Sequence, residues 1–226
     1  MTKLKDSGYF VETDMREFDR HNYHRVIHLA AKTTISAEFD AELYESNIIL
    51  AKQIMRTPCR VIYASSCSAA HMTNPYAYTK KFTEYLGAIH GNAVGLRFHN
   101  VYGPFNNKGV VWWLQQQEDG AHLTVRGPGL IRDYIFVADA VRAIMWNVEN
   151  DFTPGIWEVG TGVGTKTVDV VDLYMQLTGK KFTLDFAPHG VNEPPRMVAD
   201  IKFLYSHCIP LEEGIKKTIA YKKEYA

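Results

Sequence analysis

The stretch "RVIYASSCSAAHMTNPYAYTKKF" (residues 60–82) passes from a short apolar run through small hydroxyl residues into a helical pattern. The run "RVIYASS" (60–66) is typical of a buried parallel strand. From Tyr76 to about Ile89, large apolar side chains recur at steps of three and four residues, which predicts a helix. The stretch is therefore interpreted as a strand, a short link and a helix.

The same pattern is repeated on both sides of this stretch. "RVIHLAA" (25–31) and "AVGLRF" (93–98) also read as buried strands, and residues 37–55 carry apolar residues at helical intervals. Strands separated by helices imply right-handed parallel crossovers, so the predicted fold class is α/β with a doubly wound parallel sheet. In such sheets a ligand binds beyond the carboxyl ends of the strands. The small residues that follow these strands are therefore expected to border a cleft.

The second half of the chain differs in pattern. Residues 126–148 read as a loop, a short strand and a helix, and residues 155–179 read as a strand, a glycine turn and a helix. We expect two parts: a partial cofactor-binding core over 1–104, and a smaller substrate-binding lobe over 105–226 with some segments returning to the core.

Composition excludes several classes of function. Lys and Arg total 25 and Asp and Glu total 25, so no net charge attracts nucleic acid or an acidic membrane surface. The three cysteines (Cys59, Cys67 and Cys208) have neither metal-site spacing nor the pairing of a disulfide framework, which suits a reducing cytoplasm. No apolar run approaches the roughly 20 residues that span a bilayer. The amino-terminal residues also lack the apolar centre of a signal peptide, and we expect a cytoplasmic protein.

Tyr76 and Lys80 lie one helical turn apart and therefore share a helix face. A tyrosine with its reference pKa of about 10 is a poor base near neutral pH. A nearby ammonium favours the phenolate and is expected to lower that pKa. A serine at the preceding strand end could hydrogen-bond the same substrate oxygen. The spacing therefore predicts a proton-transfer pair.

Seven motifs occur in an order that resembles the extended short-chain dehydrogenase/reductase family, the sugar-nucleotide epimerases and dehydratases. They are "VIHLAA", "YASS", "PYAYTKKFTE", "LRFHNVYGP", "RDYIFVADA", "GIWEVGTG" and "PPRMVADI". The resemblance implies a Rossmann-like core, an NAD or NADP cofactor, a nucleotide-diphosphate sugar as substrate, and a homodimer formed through the helices at 37–55 and 76–90.

The resemblance also implies the catalytic residues. Tyr76 would be the acid/base and Lys80 would hold the nicotinamide ribose. Counting along the strand selects Ser66 as the serine, whereas alignment on "SSC", as in GDP-fucose synthase, selects Ser65 and gives Cys67 a catalytic part; we favour Ser66. "NVYGPFNNKG" (100–109) resembles the heptose epimerases, in which a lysine before glycine is a second acid/base, here Lys108.

Two sets of binding residues follow from the same resemblance. The cofactor set is Asp14, Met15, Leu29, Ala30, Ala31, Asn47, Ala64, Ser65, Tyr76, Lys80 and Phe98. The substrate set is Ser66, Cys67, Asn100, Arg132 and Arg196, with Asn100 and Arg132 on the diphosphate. Asp14 would contact adenine from the family's third strand, which we favour, or the adenosine ribose from its second strand.

The sequence departs from the family at its start, because no strand with a Gly-x-x-Gly-x-x-Gly turn is present. The glycines at 160, 162 and 164 occur in the wrong half of the chain for that role. We expect first an NAD-dependent nucleotide-sugar epimerase, possibly specific for ADP-heptose. The alternatives are a non-catalytic sugar-nucleotide-binding protein that has lost its NAD site, and a dehydratase or reductase similar to GDP-fucose synthase. The missing turn argues against cofactor binding by this chain alone.

Overall fold

The structure is a computed structural model, and it describes residues 24–33, 40–151, 153–201 and 207–225. Within these ranges the strands are β1 (Arg25–His28), β2 (Arg60–Ser66), β3 (Ala93–Phe98), β4 (Asn100–Tyr102), β5 (His122–Arg126), β6 (Ile131–Phe136), β7 (Gly155–Val159), β8 (Gly164–Lys166), β9 (Thr183–Ala187) and β10 (Arg196–Met197). The helices are α1 (41–54), α2 (Pro75–His90), α3 (Gly109–Gln115), α4 (Val137–Glu149), α5 (Thr167–Thr178) and α6 (Leu211–Tyr225). No helix in these ranges is both long enough and apolar enough to cross a bilayer.

The main sheet has the strand order β1-β2-β3-β7, and each neighbouring pair is parallel. Alternate residues of β2 point to opposite faces of the sheet. Ile62 packs with Val148 of α4 on one face, while Val61 and Tyr63 pack with Ile54 of α1 on the other. The predicted α/β fold with a parallel sheet covered on both faces is therefore confirmed. Its strands are visible in the sequence because strands buried on both faces read as continuous apolar runs.

Helix α2 lies unusually close to the main sheet at Gly87. A Cβ added there would come within 2.6 Å of the Tyr63 hydroxyl, and one added at Gly95 of β3 would come within 2.5 Å of the same oxygen. The Tyr63 ring therefore fills the space that two side chains would otherwise occupy. Glycine at both positions is what allows the helix, the ring and the neighbouring strand to pack together.

The second half builds a further core beside the main sheet. Strand β6 pairs in parallel with β4 and β10 and antiparallel with β8, and β5 pairs with β9 in a separate two-stranded sheet. Leu114 of α3, Val170 and Val171 of α5, and Ile215 of α6 are completely buried in this core. Strand β7 returns to the main sheet, where it pairs with β3.

The glycine cluster at 160–164 folds around a buried carboxylate. Asp133 is 0% exposed and accepts hydrogen bonds from Thr161 N (2.8 Å), Gly162 N (2.8 Å) and Ala199 N (3.2 Å). A side chain at Gly160 would collide with the Asp133 carboxylate, and Gly162 has a φ of +76°. The glycines thus serve a structural turn, as expected from their position in the chain, and not a phosphate-binding loop.

Candidate active site

Local sequence places Tyr76 and Lys80 at the amino-terminal end of α2. The Asn74 side chain caps the helix by accepting a hydrogen bond from Ala77 N at 2.9 Å, and Pro75 occupies the first helical position. Both are residue types preferred at helix starts. The helix therefore begins directly beyond the link from β2, and its first two turns lie beside the carboxyl end of that strand.

Tyr76 is partly buried and its phenol forms a hydrogen bond with the hydroxyl of Ser66, the last residue of β2. Burial raises the pKa of Tyr76 above its ordinary value, and the Ser66 hydrogen bond opposes that rise only in part. The expectation that Lys80 lowers this pKa is not met in this structure. The Lys80 Nζ atom is 5.9 Å from the centre of the tyrosine ring, and desolvation dominates.

Lys80 is 5% exposed, and its Nζ donates a hydrogen bond to the Ala64 carbonyl oxygen at 2.8 Å. Burial lowers its pKa to about 8. His28, the last residue of β1, is also buried, and burial together with the charge of Lys80 lowers its pKa to about 4. At neutral pH this part of the site therefore holds a neutral imidazole beside a single buried ammonium.

The two candidate serines have different partners. The Ser65 hydroxyl donates to Glu84 Oε1 of α2 at 2.7 Å, so it faces the covering helix. The Ser66 Oγ accepts a hydrogen bond from Ser68 N at 3.2 Å and also bonds the phenol of Tyr76. The structure thus brings Ser66, and not Ser65, to Tyr76.

On the substrate side, the structure places Cys67 beside Ser66 and within electrostatic reach of Arg132. Burial raises the pKa of the Cys67 thiol, so the thiol stays protonated at neutral pH. Arg132 is 4% exposed and donates to the Ile131 carbonyl oxygen at 3.0 Å and to Glu193 Oε1 at 3.3 Å. A guanidinium held in this way is suited to an anionic ligand group.

The other two predicted substrate residues lie on strands that flank Arg132. Asn100 begins β4 and pairs in register with Tyr134 of β6. Arg196 begins β10, is exposed, and pairs with Ile131, the residue before Arg132. Asn100, Arg132 and Arg196 therefore all belong to one small sheet.

Asn47 connects α1, α2 and the residues after β1. Its amide oxygen accepts from Lys32 N at 2.8 Å, and its amide nitrogen donates to Thr79 Oγ1 at 3.0 Å. Asn47 lies in a π-helical turn (Glu45–Ile49), a distortion that is frequent at functional sites. The Asn47 side chain therefore stabilises the residues that follow β1 and does not face an open cleft.

The remaining predicted cofactor residues within the described ranges are small or apolar and lie at the ends of β1, β2 and β3. Leu29 and Ala30 are exposed directly after β1, and the partly buried members are Ala31, Ala64 and Phe98. The predictions for Asp14 and Met15 lie outside the described residues. In parallel sheets of this kind, ligands bind beyond the carboxyl ends of the strands, where these residues lie.

Lys108 is exposed and its Nζ donates to Thr33 Oγ1 at 2.6 Å. This bond joins the loop before α3 to the segment that follows β1. It carries the lysine to the carboxyl edge of the main sheet, but within the described ranges no hydrogen bond connects Lys108 with Tyr76, Lys80 or Ser66.

Sequence analysis missed a buried polar network behind the site. Glu84 is 4% exposed and binds Arg97 of β3 through both carboxylate oxygens, at 2.6 and 2.8 Å. The buried ring of His99 lies 3.4 Å from Glu158 Oε2. Neither ring nitrogen has hydrogen-bond geometry to a described residue. The spacing of Tyr76, Lys80 and Glu84 at successive turns was the available signal for this network.

A family model described as "NAD dependent epimerase/dehydratase family" matches residues 9–160. The uncharacterized UDP-glucose epimerase YtcB of Bacillus subtilis is 28% identical over 162 residues, which cover 66% of this chain and 51% of that protein. An uncharacterized protein of Methanocaldococcus jannaschii is 26% identical over 155 residues, covering 63% and 48%. The chain thus spans about half the length of these two curated relatives. The ADP-L-glycero-D-manno-heptose-6-epimerase of Fusobacterium nucleatum is 23% identical over 90% of this chain and 73% of its own length.

Solved structures with the same fold cover the whole chain. MoeE5, solved with UDP-glucuronic acid and NAD, superposes with a TM-score of 0.86 at 20% identity, covering 100% of this chain and 94% of that one. A variant UDP-glucuronic acid 4-epimerase from Bacillus cereus, solved with NAD and a fluorinated substrate analogue, gives a TM-score of 0.83 at 20% identity, with coverage of 100% and 85%. These likenesses confirm the Rossmann-like fold.

Proposed function

The chain belongs to the NAD dependent epimerase/dehydratase family, and from that premise we propose that it acts on a nucleotide-diphosphate sugar as an NAD-dependent epimerase. The observation that carries the proposal is the convergence of Ser66, Tyr76 and Lys80 at the carboxyl end of the main sheet. A phenol in hydrogen-bond contact with a serine, with a buried ammonium beside it, is an arrangement for moving a proton at a sugar hydroxyl.

In this mechanism NAD, when bound, accepts the hydride that leaves the sugar carbon. Ser66 holds the reacting sugar oxygen through its hydroxyl, and Tyr76 takes the proton of that oxygen at Oη. The buried ammonium of Lys80 would hold the nicotinamide ribose beside these two residues. Return of the proton from Tyr76 to the same oxygen would restore the sugar hydroxyl in the epimerised product.

The residues present fit the nicotinamide end of the cofactor. Lys80 presents a buried donor, and the exposed residues Leu29 and Ala30 follow β1. The 226 residues contain no Gly-x-x-Gly-x-x-Gly turn, and the glycines at 160 and 162 are tied to Asp133. We therefore assign only the nicotinamide ribose to these residues, and we leave NAD and NADP as alternatives.

The substrate's diphosphate would bind Arg132, with Asn100 and Arg196 as further donors. A nearly buried guanidinium within electrostatic reach of Cys67, the residue after Ser66, supports this assignment, because the anion and the reacting sugar would then lie in one cleft. Within the family we propose ADP-heptose as the specific sugar nucleotide. Support for this choice comes from Lys108 in "NNKG" and from the heptose epimerase among the relatives.

We also propose that the protein is a homodimer that works in a reducing compartment such as the cytoplasm. Large apolar side chains recur along the solvent side of α2 at heptad-like spacing: Tyr78, Phe82, Tyr85 and Ile89, which are 57%, 38%, 62% and 66% exposed. A stripe of this kind on a surface helix suits packing against the same helix of a second copy. Sedimentation of Tyr85→Lys tests this: the variant should be monomeric if the stripe is the interface.

The cysteines support the reducing compartment, because none of the three forms a disulfide.

A non-catalytic sugar-nucleotide-binding protein is the second candidate, and the raised pKa of Tyr76 favours it, because less phenolate is then present at neutral pH. Calorimetric titration separates the two. Heat on titration of NAD, with turnover of one member of a nucleotide-sugar panel, supports the enzyme. Binding of a sugar nucleotide with no heat from millimolar NAD supports the binder.

Site variants give the residue-level test. Tyr76→Phe should lower turnover by about 10²- to 10⁴-fold, the usual contribution of an acid/base, and leave nucleotide-sugar affinity within about twofold. Tyr78→Phe is the matched control, because it removes the same hydroxyl from an exposed position two residues away. Equal losses in both variants, or a parallel loss of sugar-nucleotide affinity in Tyr76→Phe, would contradict the assigned role.

A further inference from the structure

Helix α2 has an inverted distribution of polar and apolar side chains. Its buried positions include Lys80, Thr83 and Glu84 together with the small residues Ala77 and Gly87. No fully buried position of this helix is a large apolar side chain, and four of its large side chains, Tyr78, Phe82, Tyr85 and Ile89, are exposed. Apart from the Tyr63 ring at Gly87, the inner face of α2 offers small or polar side chains, so a fixed point along the strand must come largely from polar contacts.

Polar contacts supply that fixed point. Ser65 of β2, Arg97 of β3 and Glu158 of β7 lie in register across three strands. The Glu84 carboxylate reaches down from α2 onto this row, accepting from Ser65 Oγ at 2.7 Å and from Arg97 Nε at 2.6 Å. Arg97 also donates to the second carboxylate oxygen at 2.8 Å, so the pair is bidentate and defines both distance and angle.

The same stretch of strand carries the contacts of the active site. Lys80 Nζ binds the carbonyl oxygen of Ala64, and Glu84 binds the side chain of Ser65. Two successive turns of α2 thus bind two successive residues of β2, and the third residue, Ser66, is the partner of Tyr76. A slide of the helix by a fraction of a turn would break all three contacts together.

We propose that the Glu84–Arg97 pair is a positioning device that sets the register of α2 on β2 and thereby holds Tyr76 at Ser66. The proposal rests on the proposed function for its catalytic meaning, but the register itself is a property of the chain alone. Glu84 and Arg97 touch no reacting atom; they act through Tyr76 and Lys80. The strength of the pair is visible at Glu84: burial acts to raise its pKa, but the hydrogen bonds from Arg97 and Ser65 hold the pKa below its ordinary value.

Glu84→Gln tests the proposal through the titration of Lys80, followed by NMR of ¹³C-labelled lysine. If the helix loses its register, the Lys80 amine leaves its buried position and its pKa rises by about one unit or more toward the ordinary 10.4. Simple loss of a nearby negative charge would instead lower that pKa, and a purely structural role would leave it unchanged. The sign of the change therefore decides between positioning and the other two explanations.

Activity supplies the second readout. Displacement of the reacting groups by about 1 Å can lower turnover by about 10²-fold, so kcat of Glu84→Gln should fall by about tenfold or more while KM for the nucleotide sugar stays within about twofold. Glu212→Gln is the matched control, since it removes one exposed carboxylate paired with Lys216 on α6. If the parent protein has no turnover, the proposed function fails, and the Lys80 titration still tests the positioning.

Two further variants guard against loss of folding in Glu84→Gln. Arg97→Lys keeps the positive charge but removes the two-pronged contact, and Ser65→Ala removes only one hydrogen bond to Glu84. Both should raise the Lys80 pKa in the same direction, with the smaller rise in Ser65→Ala. An unchanged or lowered Lys80 pKa in folded Arg97→Lys and Ser65→Ala, or in folded Glu84→Gln, would overturn the proposal.

Discussion

Replacing Lys80 by methionine should make the protein more stable at neutral pH even though it removes a proposed catalytic group. Burial lowers the pKa of Lys80 from 10.5 to about 8, so the charged form is disfavoured in the folded state. At pH 7 this shift corresponds to about 3 kcal/mol of lost folding free energy. Methionine fills a similar volume without charge, but it leaves the Ala64 carbonyl oxygen without its hydrogen bond, which costs about 1–3 kcal/mol.

The net gain expected at pH 7 is therefore about 1 kcal/mol, and its pH dependence is the sharper test. Between the folded pKa and the unfolded one, the unfolded chain binds a proton at Lys80 that the folded chain does not, so parent stability increases as pH rises from about 8 to 10.5. Lys80→Met lacks this increase.

Urea unfolding of both proteins between pH 7 and 9.5 provides the measurement, because other titrating groups cancel in the difference. The parent should gain about 2 kcal/mol on the variant over this range. A difference that does not change with pH, or a variant less stable than the parent by more than about 1 kcal/mol at pH 7, would refute the assigned burial cost.

Two further substitutions test the packing that surrounds the site. Asp133→Asn should lower the free energy of unfolding by about 3–5 kcal/mol, because an amide NH₂ would face N–H groups whose hydrogen bonds the buried carboxylate now accepts. Urea unfolding measures the loss, with the exposed Asp185→Asn as the control. A loss equal to that of the control would contradict this account. Gly87→Ala should lower the melting temperature by several degrees, because the added methyl group collides with Tyr63. Gly129→Ala is the control and should not lower it, because Gly129 has open space around it. An unchanged melting temperature for Gly87→Ala would show that the Tyr63 ring moves aside freely.

The bounds of the first-half elements were largely predictable from sequence because they depend on neighbouring residues. The strands predicted at 60–66 and 93–98 have those bounds in the structure. The helix predicted from Tyr76 to about Ile89 runs from Pro75 to His90, since Asn74 caps its start and Gly91, with a φ of +75°, ends it. Each of these signals acts within a few residues of the position that it determines.

The depth of side chains was not predictable in the same way. Helical spacing identified Tyr76 and Lys80 as neighbours on one face, but it does not reveal that burial raises the pKa of Tyr76. The choice between Ser65 and Ser66 also depends on Glu84, which follows Ser65 by 19 residues. Its carboxylate accepts the hydrogen bond of the Ser65 hydroxyl, so Ser65 is turned toward α2. Likewise, the contact between Asp133 and Gly162 joins positions 29 apart in sequence, and no local pattern marks it.

The inverted polarity of α2 gives these observations a common physical cause. A helix that must hold an ammonium and a carboxylate against the end of a strand cannot also use large apolar side chains there, so it gives up hydrophobic stabilisation on its inner face. The charged groups add a desolvation cost, which for Glu84 is offset by a bidentate partner but for Lys80 is offset only by one carbonyl oxygen. Removal of Lys80 should therefore stabilise the fold, whereas removal of Glu84 should destabilise it, since among the described residues it leaves Arg97 with Glu158, at 3.7 Å, as its remaining ionic partner. The two stability changes should therefore have opposite signs. A gain on removal of Lys80 indicates a charge retained for chemistry, and a loss on removal of Glu84 indicates a charge retained to position the helix.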